Sequence, residues 1–204
     1  VSHSMDDVAK LTDRLLVMSE SRLAMDDTPG AVFSRAEELL AMGLDIPDVT
    51  RIFLRLRQLG LEDVHTDDFG NAIGRWKGVG GGPTVLVEAH LDTVFPFGSV
   101  KEVRREGSVL FAPGIEDDTR GLACVLSALR GLKASGLNTR GDILFVGTSR
   151  EEGMGSLGGM KDFLDHNPDI DGSISVDGAW TESITYEATG FKTYEVNFYG
   201  IGGH

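Results

Sequence analysis

The chain has 204 residues and a mass of 22.0 kDa, 41% of them hydrophobic and 25% charged, enough for one substantial core or for one domain and the start of a second. Nineteen Lys and Arg against thirty-two Asp and Glu leave a formal charge of −13, a field that repels a phosphate backbone and argues against nucleic acid as a partner. No apolar run reaches bilayer length and the first residues lack the basic and apolar regions of a secretion signal, so the expectation is a soluble, cytoplasmic protein with no membrane partner.

In chain order, three apolar stripes at helical spacing come first: Val8, Leu11, Leu15 and Met18; Phe33, Ala36, Leu39 and Leu40; and Val49, Ile52, Phe53 and Leu56. The third is punctuated by Asp45 and Pro47 before it and Gly60 after it. Residues 71–76 and 84–90 read as two strands of a hairpin joined through Gly78 to Pro83. Strands and helices then alternate: a helix over 117–132, a strand over 142–148, a helix over 156–166 and a strand over 173–177. Such alternation predicts a largely parallel sheet covered on both faces. Further strands are expected from Ser183, including 191–198, before the chain reaches Gly202, Gly203 and His204. The single cysteine, Cys124, lies among Leu122, Val125, Leu126 and Leu129 and reads as core.

Ligands of open α/β sheets bind beyond the carboxyl ends of the strands, and the residues expected there share one chemistry. One strand ends in His90, with Asp92 two residues on; another leads into Glu151 and Glu152; a third ends in Asp177; and Asp117 and Asp118 open the intervening helix. Singly, each carboxylate suits a helix cap or a solvated loop, and His90 suits a core histidine. Converging from three strands, they would repel one another unless cations neutralised them. Imidazole with carboxylate suits zinc, cobalt or manganese, and two metals about 3.5–4 Å apart would absorb the charge.

The ordered segments Ala89-His-Leu-Asp-Thr-Val94, Gly114-Ile-Glu-Asp-Asp-Thr-Arg-Gly121, Ser149-Arg-Glu-Glu-Gly153, Val176-Asp-Gly178 and Gly202-Gly-His204 resemble the motif set of the peptidase T, carboxypeptidase G and aminoacylase family. The likeness runs from Asp67-Asp-Phe-Gly-Asn71 to the last residue. It implies a three-layer αβα sandwich with a mixed, largely parallel sheet, residues 1–190 forming the N-terminal part of a catalytic domain and 191–204 the first strand of a lid and dimerisation domain. It implies two divalent metal ions, zinc foremost, with Asp117 bridging, His90 and Asp177 on one ion and Glu152 on the other. Asp92 would orient the His90 ring, Glu151 would act as general base, and His204 would stabilise the oxyanion from the partner subunit of a homodimer. The implied substrate is a short peptide or an N-acyl amino acid. Thr119-Arg120 stands where many relatives carry Lys-Gly, and the family's last metal-binding histidine lies beyond the segments matched here, which leaves the Glu152-side metal under-ligated.

Two rival readings remain at this stage. Gly153-Met-Gly-Ser-Leu-Gly158 matches the dinucleotide fingerprint G-x-G-x-x-G, with Asp177 nineteen positions after Gly158, so an NAD-dependent oxidoreductase is one alternative. A protein that binds metal or peptide without catalysis is the other, and a second glutamate at Glu151 speaks against it.

Overall fold

The computed structural model describes residues 5–96, 98–178, 182–192 and 194–200. The chain divides into two compact units, Val1–His65 and Thr66–His204, whereas the sequence reading places 1–190 in one domain.

In the first unit the expected first stripe does not stay helical. Helix α1 (Met5–Leu11) ends early, and Leu15–Ser19 (β1) pairs antiparallel with Arg22–Asp27 (β2). Glu20 and Ser21 both have positive φ, 48° and 61°, the turn that joins twisted strands most directly. Val17 is buried between exposed Leu16 and Met18, a period of two where a helix had been expected. The second stripe breaks at Arg35 into α2 (Pro29–Ser34) and α3 (Ala36–Ala41). The Thr28 hydroxyl caps α2 by accepting the Ala31 N–H at 3.3 Å, with Pro29 next to it. The third stripe is α4 (Asp48–Gln58), with Pro47 and Gly60 flanking it as expected. Val17, Met25, Val32, Phe33, Ala36, Leu39 and Ile46 form the core of this unit.

The second unit is built on a mixed sheet. Its strands are Ala72–Trp76 (β4), Val85–His90 (β5), Ile143–Thr148 (β8) and Gly172–Ser175 (β9), and Glu62–Thr66 (β3), which ends in this unit, completes the order β3-β4-β8-β5-β9. A short hairpin, Arg104–Glu106 (β6) and Val109–Phe111 (β7), stands apart. β5 runs parallel to both β8 and β9, and β4 runs antiparallel to β8. Helix α5 (Thr119–Ser135) packs on β5, and Phe163 of α6 (Gly158–His166) joins Ile73, Leu86, Leu144 and Val146 in the core. The expected α/β sandwich with a largely parallel sheet is therefore the fold.

Three expectations are corrected. The strands 71–76 and 84–90 are not a hairpin, because β8 lies between β4 and β5. The connection instead runs past the start of β8, where the Val79 and Gly80 N–H groups donate to the carbonyls of Thr139 and Arg140. Cys124 is exposed: Gly121, Val125 and Leu129, spaced by four, are the buried face of α5, and Cys124 is turned about 100° from it. The described residues after Ser183 form no strand, and Phe191, Tyr194, Val196 and Phe198 are exposed; without a neighbouring strand their alternation has nothing to pair with.

At the opposite end of the sheet from the carboxylate cluster, Asp142 fastens the 77–83 connection. Its carboxylate accepts from the Gly78 N–H at 2.9 Å, Arg75 at 2.8 Å and Lys77 at 2.9 Å, and these three, the Gly78 amide foremost, hold its pKa well below the usual carboxylate range. Because the folded value is depressed, the stabilisation is fully present above about pH 4 and is lost as pH falls towards the folded value. Asp142→Asn should cost about 2 kcal/mol at neutral pH, discounted for the exposed Lys77, with the gap to the parent protein closing in acid. Chemical denaturation across pH measures it.

Candidate metal centre

β5, β8 and β9 present their carboxyl ends at one edge, and the N-terminus of α5 meets them there. His90 ends β5 with its side chain 3% exposed. The imidazole Nδ1 lies 2.9 Å from the carbonyl oxygen of Asp92. A carbonyl can only accept, so Nδ1 carries the proton and Nε2 faces the cluster. Nε2 lies 2.8 Å from Asp117 Oδ1 and 4.0 Å from Asp177 Oδ1.

Two ligand sets share this ring. His90, Asp117 and Glu152 form one, and His90, Asp118 and Asp177 the other; in each set the ligand atoms lie within 4.8 Å of one another. All four expected metal ligands, His90, Asp117, Glu152 and Asp177, are thus brought together. Imidazole nitrogen with carboxylate oxygens at this spacing fits zinc or a similar divalent ion.

The electrostatics point the same way. Burial first, then Glu152, Asp177 and Asp92, lifts the Glu151 carboxyl above its ordinary value, against the pull of His90. Glu152 is raised by burial and then by Asp117. Burial opposes charge on His90, but its bonds to Asp117 and to the Asp92 carbonyl, with Glu151 and Asp118 nearby, raise its pKa overall. Carboxyls whose pKa values are raised by burial and by one another, around a single imidazole, are the signature of a cluster short of positive charge.

Asp92 is placed differently from the expectation. Its carboxylate stands 3.9 Å from the His90 ring and instead accepts the backbone N–H of Glu151 at 3.0 Å and of Glu152 at 3.1 Å. The ring is oriented by the Asp92 carbonyl, and the side chain holds the two glutamates. Asp118 was missed as a site residue. It is 1% exposed, and its carboxylate accepts the His90 N–H at 3.1 Å and caps α5 at the Gly121 N–H at 2.9 Å. Burial pushes its pKa up to about 6, Asp177 adding and the two amides opposing. The adjacent pair Asp117-Asp118 was the available signal, but helix capping explained it equally well. Gly121 must be glycine, since a Cβ there would overlap the Asp118 carboxylate and the Val176 carbonyl. His204 lies outside the described residues.

The dinucleotide reading fails on the backbone. Between β8 and α6, the N–H groups of Gly155, Leu157, Gly158 and Gly159 donate to the carbonyls of Glu152, Glu151, Arg150 and Ser149. A pyrophosphate at this helix start needs those amides free.

Residues 86–202 match the model of peptidase family M20/M25/M40. This chain belongs to that family. Among curated proteins, carboxypeptidase G2 from Pseudomonas sp. is 29% identical over 198 residues, covering 89% of this chain and 47% of that protein. Aminopeptidase PepT from Bacillus cereus is similar in structure, with 25% identity and a TM-score of 0.51 over 64% of this chain and 38% of that one. A different likeness is also present: the energy-coupling factor transporter ATP-binding protein EcfA2 from Halalkalibacterium halodurans is 43% identical over 65 residues, 31% of this chain and 23% of that protein. The chain spans less than half the length of each of these relatives. The M20 match spans His90, Asp117, Glu151, Glu152 and Asp177.

Proposed function

We propose that the whole protein hydrolyses an amide bond in a short peptide or an N-acyl amino acid, with His90, Asp117, Glu152 and Asp177 holding two divalent metal ions. Zinc is the first choice, cobalt or manganese the alternatives. The observation that carries this reading is the gathering of His90, Asp117, Glu152 and Asp177 in two overlapping ligand sets, the Asp177 set completed by Asp118, with a further glutamate, Glu151, fixed beside them; the one free ring nitrogen of His90 would serve one ion and carboxylates the other. Two such ions supply the Lewis acidity that polarises a scissile carbonyl and acidifies water.

The protein's own groups do the rest. The Asp92 carbonyl fixes the His90 tautomer, so that Nε2 is aimed at the cluster. Asp117, grouped with both His90 and Glu152 in one ligand set, would be the carboxylate shared by the two ions. Glu151, its pKa raised above the ordinary carboxyl value by burial, accepts a proton from the attacking water and returns it to the leaving amine. His204 would reach the oxyanion from the partner subunit of a homodimer.

Removal of metal tests this. Dialysis of the whole protein against a chelator should lower hydrolysis of dipeptides and N-acyl amino acids more than about 100-fold, and added zinc should restore it. Activity that survives chelation contradicts the reading, and metal binding without turnover on either substrate class makes this a binding protein.

A further inference from the structure

The loop after β8 carries both glutamates, and it is held by more than Asp92. Asn71, fully buried, is the other anchor. Its side-chain carbonyl accepts the Ser149 N–H at 2.9 Å and lies 3.4 Å from the Ser149 hydroxyl, and its side-chain N–H₂ donates to Asp67 at 2.7 Å and to the Gly159 carbonyl at 3.1 Å. Asp67 also accepts the Asn71 backbone N–H at 2.8 Å, which closes the 67–71 turn. From the same turn the Phe69 carbonyl accepts the Ser149 hydroxyl at 3.0 Å, and the Phe69 ring lies 4.4 Å under the Arg150 guanidinium. A Cβ at Gly159 would overlap both Ser149 and Asn71, so the start of α6 is pressed against this node.

We propose that Asn71, with Asp67 behind it, is a positioning residue for Glu151 and Glu152. It grips the loop at Ser149, two residues before Glu151, while Asp92 grips it at the glutamate amides. The inference rests on the roles proposed for those glutamates, but the geometry it invokes stands without any metal. Only an amide fits the node, because Asn71 must give two protons and accept at its oxygen at the same time.

Asn71→Asp keeps the shape and the acceptor but places a carboxylate against Asp67. Asp67→Asn with Asn71→Asp reverses that pair and removes the repulsion. In the full chain, backbone amide exchange at Ser149, Glu151 and Glu152 should quicken at least tenfold in Asn71→Asp, while residues 144–146 of β8 stay protected, and the double variant should recover only the part of the loss due to Asp67, because the Gly159 carbonyl still faces a carboxylate oxygen. In a cobalt titration the single variant should bind one ion about 10–100-fold more weakly. Unchanged exchange at the three amides, or an equal loss of protection along all of β8, overturns the proposal. A parent chain that binds no cobalt sinks the metal reading instead, and the exchange result still decides the role of Asn71.

Discussion

Replacing Glu151 with glutamine in the whole protein should lower turnover by roughly 10²–10⁴-fold while leaving metal affinity nearly unchanged. Glutamine keeps the shape and cannot take up the proton. Glu151 belongs to neither ligand set, so its loss leaves His90, Asp117, Glu152 and Asp177 in place. Its backbone N–H still reaches Asp92, so the loop keeps its path. A pH–rate profile adds a second readout: the acidic limb, set by ionisation of the general base, should vanish in Glu151→Gln. A variant that loses metal as well as turnover would move Glu151 into the ligand set and shift the base elsewhere.

Asp92→Asn should be nearly as damaging, for a different reason. The carboxylate accepts two backbone N–H groups, those of Glu151 and Glu152, one on each oxygen. An amide has one acceptor, so its N–H₂ must face one of those donors, and the loop has to move. The expected result is a loss of about 10–100-fold in metal affinity on the Glu152 side, together with a fall in turnover, because both glutamates shift. The His90 ring should keep its tautomer, since the Asp92 main-chain carbonyl holds it. Imidazole proton resonances test that point: an unchanged Nδ1–H signal in Asp92→Asn fits the division of labour between carbonyl and carboxylate, and its loss would return the ring-orienting role to the side chain.

Much of the centre was legible because strand-end chemistry is local in sequence. A strand of alternating Val and Leu that stops at His90, and another that stops before two glutamates, announce both the element and its end. The antiparallel pairing of β4 with β8 was not legible, because 72–76 and 85–90 are neighbours in sequence and a glycine-rich link suits a hairpin equally well. Only the insertion of β8, more than fifty residues on, separates them. The first helix was misjudged because Leu15 and Met18 extend a helical stripe that the Glu20-Ser21 turn cuts short. Cys124 was misplaced because its apolar neighbours surround it in sequence, while α5 buries only the Gly121, Val125 and Leu129 face. Asn71 and the Asp92 side chain act through backbone amides of residues 78 and 59–60 positions away, and no spacing rule reaches that far.

The most direct test of the metal centre is a calorimetric zinc titration of this chain beside its His90→Ala variant. His90 is the one residue common to both ligand sets, so the account predicts tight binding of at least one zinc in the parent and its loss in the variant. Equal binding by both proteins would contradict it, because no site built at this sheet edge can then depend on the ring.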